Sequence, residues 1–283
     1  MSQSELVEID WATRRVNLEV RWIGAGGPAT PLIVFLHEGL GSVSMWRDFP
    51  LQVCAATGAR GLVYSRPGYG RSTPRAAGEA WDLDFMHRQA HEVLPALLDR
   101  LGVDATETPL WLFGHSDGAS IALLYAAHFA SHPKRRPAGV IAMAPHILVE
   151  PLSIASIREA REAYLRTDLR ERLARHHDDV DSAFYGWNDV WLSPGFPGWQ
   201  ITLELKHIAA PVLAVQGEDD VYGTMAQIDG IAAAVPKTSL LKLPHCGHSP
   251  QRDQPEAVIR AVAGFMQAAV PPAEEPDIPT LPS

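Results

Sequence analysis

Little in this chain could brace it from outside. Its 283 residues include only two cysteines, Cys54 and Cys246, too few for a disulfide framework, and both are expected to be reduced. No apolar run approaches the ~20 residues that a membrane span requires. The first ten residues are acidic and polar, with no basic start leading into an apolar stretch, so no secretory signal is expected and the compartment is expected to be the cytoplasm. Positive charge is scarce too: 24 Lys and Arg face 33 Asp and Glu, a net charge of −9. That balance excludes a nucleic-acid partner, which would need clustered cations. The one basic cluster, Lys134-Arg135-Arg136, reads as a solvated helix end. No internal repeat is present.

What remains is a core. Hydrophobic residues make up 46% of the chain, enough for one large α/β domain or two modest ones. Residues 15–23 alternate apolar and polar, the pattern of an edge or half-exposed strand. Residues 32–36, 60–64, 109–113, 140–143, 211–215 and 239–243 are short apolar runs, the pattern of buried parallel strands. Between them, helices are expected over 46–57, 82–101, 119–130, 225–234 and 255–269. Pro95 should bend the second of these.

Strands alternating with helices predict a parallel sheet with right-handed crossovers. From about 150 to 207 the character changes. Charged amphipathic helices are expected at 157–165 and 169–176, then an aromatic-rich stretch at 183–191, with no buried strand. The predicted organisation is a core at 1–149 and 208–269, a helical cap at 150–207 over the strand ends, and a disordered proline-rich tail at 270–283.

Gly114-His115-Ser116-Asp117-Gly118 sits between an apolar strand and an alanine-rich helix. In that context Gly-x-Ser-x-Gly lifts a serine hydroxyl on a sharp strained turn. Serine is a weak nucleophile and needs a base, which in turn needs a group to orient it and balance its charge. His248, late in the chain in a Gly-His-Ser loop, is the candidate base. The acid should follow the strand that ends at Gln216, where Asp219 and Asp220 are adjacent. Cys246 lacks an elbow of this kind around it and is set aside as a nucleophile.

With these residues in hand, the chain resembles the α/β-hydrolase superfamily, in its cap-bearing serine hydrolase form, from about residue 14 to 269. The motifs are His37-Glu38-Gly39-Leu40-Gly41, Arg66-Pro67-Gly68-Tyr69-Gly70-Arg71-Ser72, Gly114 to Gly118, Gly217-Glu218-Asp219-Asp220 and Gly247-His248. The resemblance implies an α/β fold with a mostly parallel twisted sheet. It also implies Asp220 as the acid, three residues after the glycine of its loop. The backbone N–H groups of Gly39 and Asp117 would form the oxyanion hole, with His37 bracing that loop. The Asp117 side chain is expected to be idle.

Glu38 departs from the family pattern, where glycine is common. It is expected either to turn away and form a structural ion pair with the arginine-rich loop at 66–71, or to be used in the substrate pocket. His146 ends a strand and is expected either to have a plain surface or hydrogen-bonded role or to touch substrate. His115 and His245 should pack locally. Trp187, Trp191 and Trp199 are candidates for the cap's own core or for the pocket wall.

The implied activity is cofactor-free and metal-free hydrolysis of a small carboxylic ester, thioester or lactone through an acyl-enzyme. Carbon–carbon bond hydrolases and cofactor-free peroxidases share the triad, although the former usually carry a longer glycine-rich loop than 37–41. Epoxide hydrolases and dehalogenases need a carboxylate where Ser116 stands. A non-catalytic small-ligand receptor is the alternative of another class, and the complete triad argues against it. The expected partner is a small-molecule substrate, with no nucleic acid and no membrane; oligomeric state is open.

Overall fold

The computed structural model describes residues 3–76 and 78–269. The tail expected at 270–283 lies outside the described residues. The strands are β1 (Glu5–Trp11), β2 (Arg14–Ile23), β3 (Leu32–Leu36), β4 (Arg60–Tyr64), β5 (Leu110–His115), β6 (Gly139–Met143), β7 (Val212–Gly217) and β8 (Thr238–Leu243). They form one sheet in the order β1-β2-β4-β3-β5-β6-β7-β8. β1 and β2 are antiparallel to their neighbours, and every pairing from β4 to β8 is parallel.

β2 is half-exposed, as its alternation suggested, but it is not an edge strand. Its free hydrogen-bonding edge is taken by β1, which pairs with residues 14–20 from Glu5↔Val20 to Trp11↔Arg14. β1 itself carries the edge, with Ile9 and Trp11 turned into the core and acidic residues facing water.

Helices α1 (Phe49–Thr57), α2 (Phe85–Arg88), α3 (Leu94–Arg100) and α4 (Asp117–His128) precede the long helical stretch between β6 and β7. That stretch holds α5 (Pro151–Arg166), α6 (Leu169–Leu173) and α7 (Val180–Trp191); α8 (Ala226–Ala234), α9 (Pro250–Asp253) and α10 (Pro255–Ala269) follow. Because the central strands are buried on both faces, their side chains feed two cores. Val34, Leu62 and Leu112 join α3 and α4 on one side. Ile33, Phe35, Val63 and Phe113 join α1 and α10 on the other.

The expected helix over 82–101 runs without a break from Phe85 to Arg100, with a π-helical segment at Gln89–Val93 between α2 and α3. Pro95 explains it: with no N–H to give to the carbonyl four residues back, the chain widens there. Helix α1 starts three residues later than expected, after a 3-10 turn at Ser44–Trp46, because Pro50 suits its first turn. Helix α6 ends at Leu173, well short of the expected 176, and this frees His176 and His177 for other partners.

The expected residues 37, 116, 146, 220 and 248 all follow the carboxyl ends of strands, where open α/β sheets bind ligands. Between β5 and α4, Ser116 holds φ 53° and ψ −122°, a strained backbone for a residue with a side chain. Glycines make room for it. A Cβ on Gly114 would lie 2.2 Å from the carbonyl oxygen of Gly118, and one on Gly118 would lie 2.1 Å from that of Leu36. Both obstacles are backbone and neither can swing aside. Gly118→Ala is therefore expected to lower unfolding stability by about 3 kcal/mol, read from urea melts, by forcing β3 and α4 apart.

Candidate active site

Ser116 Oγ lies 3.0 Å from Nε2 of His248. On the far side of the ring, Nδ1 lies 2.9 and 2.8 Å from the two carboxylate oxygens of Asp220. A carboxylate can only accept, so Nδ1 carries the proton and Nε2 is left to take the one on Ser116. Asp220 is buried, whereas Asp219 is exposed and its N–H is held by the Cys246 carbonyl at 2.9 Å.

Two further donors fix the Asp220 carboxylate: Nε2 of Gln216 at 2.6 Å and the N–H of Tyr222 at 2.8 Å. Burial alone would raise its pKa, but His248 and the Tyr222 amide outweigh it and hold the acid below the usual range. Asp220 thus stays ionised wherever the site works. Cys246 is no competitor as a nucleophile, since burial pushes its thiol up to about 11. Both cysteines are free and buried.

The loop after β3 is held by a buried cation. Arg66 is 1% exposed; its Nη2 donates to the Glu38 carbonyl at 2.9 Å, and its guanidinium lies 4.8 Å from the Tyr69 ring. His37 Nδ1 donates to the same carbonyl at 2.6 Å, while its Nε2 accepts the N–H of Arg66 at 3.0 Å. Burial and the charge of Arg66 press the His37 pKa well below its ordinary value, which keeps Nε2 free to accept. A peptide is planar, so fastening the Glu38 carbonyl twice aims the N–H of Gly39 the opposite way. Among the described residues, neither the Gly39 nor the Asp117 N–H is taken up by a loop or turn carbonyl.

Glu38 does not pair with the loop at 66–71, as expected from the sequence. It is the backbone carbonyl of Glu38 that meets Arg66. Its carboxylate faces His115, with 3.5 Å between Oε2 and Nδ1. Burial opposes its charge, yet the bond to His115 and the nearby imidazoles hold it well below the ordinary carboxylate range. Nor does His115 merely pack: its Nε2 donates to the backbone carbonyl of His248 at 2.7 Å. Glu38 and His115 thereby tie the loop after β3 to the loop that carries His248.

The Asp117 side chain is not idle in packing either. It is wholly buried, 3.9 Å from Arg66. Burial dominates there, and Arg66 offsets it only in part, so its pKa rises to about 6 from the ordinary 3.8. Between these values the unfolded chain gives up its proton first, and folding stability falls as pH rises through that window. Asp117→Asn removes the effect. The variant is expected to match wild type below about pH 4 and to exceed it by up to about 3 kcal/mol above pH 7, measured by urea melts across pH.

The helical stretch between β6 and β7 touches the site in three places. The Trp187 indole lies against Gly39, where an added Cβ would come within 2.2 Å of Nε1. Trp191 sets its ring edge-on to His146, with centroids 4.8 Å apart. His177 accepts the Gly70 N–H at 2.9 Å through Nδ1 and donates to the Leu40 carbonyl at 2.9 Å through Nε2. Trp199 instead stacks on Phe196 within the helical layer, at 5.7 Å. Tyr222 lies 4.6 Å from the His248 ring. His146 is buried rather than on the surface, with Nε2 3.5 Å from Ser116 Oγ.

Read from the sequence, Arg66, Gln216, His177 and Tyr222 have no site role, and His115 is placed only in local packing. Two of them sit inside the family motifs, His115 as the second residue of the elbow and Arg66 at the head of its loop. The others carry no signal at that distance along the chain.

The family model for the alpha/beta hydrolases matches residues 33–261. A bifunctional esterase/perhydrolase of Acinetobacter calcoaceticus is 25% identical over 271 residues, covering 86% of this chain and 94% of that protein. A 2-hydroxy-6-oxononadienedioate/2-hydroxy-6-oxononatrienedioate hydrolase of Pseudomonas putida is 24% identical over 274 residues, covering 85% and 89%. Among solved structures, the enol-lactonase of Burkholderia xenovorans superposes with a TM-score of 0.66 at 21% identity, covering 89% of this chain and 97% of its own.

Proposed function

The chain belongs to the α/β-hydrolase family, and we propose that it is a serine hydrolase of small carboxylic esters, thioesters or lactones. The observation that carries this reading is the unbroken line from Ser116 Oγ through His248 to Asp220, with 3.0 Å at one end and 2.8 Å at the other.

In this mechanism His248 Nε2 takes the Ser116 proton as Oγ attacks the substrate carbonyl. Charge moves to the carbonyl oxygen, where the N–H groups of Gly39 and Asp117 receive it. Each such donor is worth roughly 3–4 kcal/mol in other enzymes. The Asp220 carboxylate balances the imidazolium. That imidazolium then protonates the leaving oxygen or sulfur, and the acyl group stays on Ser116. A water gives its proton to Nε2 and attacks the acyl carbon, and His248 returns the proton to Oγ as the acid departs.

Crowding by Trp187, Trp191 and Tyr222 favours a small acyl group. Since the Acinetobacter relative is a bifunctional esterase/perhydrolase, hydrogen peroxide in place of water is the second reading to test on the same acyl-enzyme. Two unpaired cysteines fit a reducing compartment such as the cytoplasm.

The test is labelling with a fluorophosphonate, located by mass spectrometry, beside a panel of p-nitrophenyl esters of rising acyl length and simple lactones, each with and without peroxide. An adduct on Ser116 and turnover of the shortest esters are expected. No adduct and no turnover, together with tight binding of a small ligand, would favour a receptor instead.

A further inference from the structure

We propose that His146 is a second catalytic histidine, a permanently neutral donor whose Nε2–H bonds Oγ of Ser116 while that atom gains and loses the acyl group. This rests on the acyl-enzyme reading above.

The position of His146 is built rather than incidental. Its backbone is clamped from both sides by one hydroxyl: Ser120 Oγ accepts the His146 N–H at 3.0 Å and donates to the His146 carbonyl at 2.6 Å. The next residue, Ile147, gives its N–H to Gln227 at 2.7 Å. The ring is 2% exposed and rests against Trp191. Nε2 points at Ser116 Oγ from 3.5 Å, and Nδ1 is buried with no partner among the described residues.

The tautomer follows from that asymmetry. A proton on Nδ1 would leave an N–H buried without an acceptor, which is costly. A proton on Nε2 has Oγ to meet. Oγ has already committed its own proton to His248, so it is free to accept.

His146 cannot replace His248 as the base. Among the described residues no carboxylate bonds its far nitrogen, and burial beside His248 presses its pKa down to about 3. It therefore moves no proton. In the second half of the reaction the bond from the acyl carbon to Oγ breaks, and negative charge grows on Oγ until the proton from His248 arrives. A fixed neutral donor lowers that barrier, and its bond can shorten from the resting distance as the charge develops. Loss of the donor should therefore slow release of the acyl group more than its arrival.

The experiment is rapid mixing of p-nitrophenyl acetate with wild type, His146→Phe and His146→Gln, in which Gln offers an N–H near the position of Nε2. For His146→Phe, kcat and KM should both fall, by about 10–100-fold, with a burst approaching one nitrophenol per enzyme. Fluorophosphonate stoichiometry should stay unchanged, and His146→Gln should recover most of the rate. In 15N-labelled wild type, His146 should show the proton on Nε2 and no titration from pH 5 to 9. A proton on Nδ1, wild-type turnover in His146→Phe, or equal loss in both variants without a burst would overturn the inference. If wild type itself formed no fluorophosphonate adduct, the acyl-enzyme reading would fall with it; an adduct with unaltered variants removes only the role of His146.

Discussion

Ser116→Ala is expected to lower kcat for a short p-nitrophenyl ester by about 10⁶-fold and to abolish the fluorophosphonate adduct. The loss is large because the residues of such a site act as a unit: without Oγ the base has no proton to take and no acyl-enzyme forms. Some catalysis should survive. Substrate binding and the amides of Gly39 and Asp117 are untouched, and in related chemistry these leave roughly 10³–10⁴ over the water reaction. Unfolding stability should change little, since alanine inherits the same backbone at φ 53° and only one hydroxyl is removed from a site that is 6% exposed. A variant with wild-type turnover would mean that another atom attacks.

The second large effect belongs to Asp220. Asp220→Asn should cost about 10⁴ in kcat, whereas Asp219→Asn should be close to silent. The amide variant keeps the shape but can offer its NH₂ group to Nδ1, which would move the ring proton to Nε2 and leave nothing to accept the Ser116 proton. Two donors already crowd the carboxylate, from Gln216 at 2.6 Å and the Tyr222 N–H at 2.8 Å. They bond different oxygens, Gln216 to Oδ2 and Tyr222 to Oδ1, and both oxygens face His248 Nδ1, so in either orientation the asparagine NH₂ meets one of these donors and stands within reach of Nδ1. Asp219 faces water and meets none of these groups. A larger loss in Asp219→Asn than in Asp220→Asn would reverse the assignment.

Much of this was legible in the sequence, because short apolar runs announce buried strands and the reactive residues sit just beyond them. β1 was equally legible in one respect: Val7, Ile9 and Trp11 alternate with Glu8 and Asp10. The acidic residues masked it, since an edge strand keeps them on its wet face. Direction of a side chain is another matter. Glu38 could reach either the arginine loop or the elbow, and only the fold shows the choice. The Arg66 to Glu38 contact spans 28 residues, and that of His115 to His248 spans 133. No local pattern encodes such separations. His146 looked like any polar residue after a strand until Ser120 and Trp191 closed around it.

The peptide between Glu38 and Gly39 has a kinetic meaning. Its carbonyl is fastened by one imidazole and one guanidinium, both buried, before any substrate arrives. Nothing in that loop has to rotate as charge appears on the substrate, so the activation entropy of acylation carries no contribution from closing the anion site. A tetrahedral boronate should then dock in a single exponential phase, with no slow isomerisation behind it.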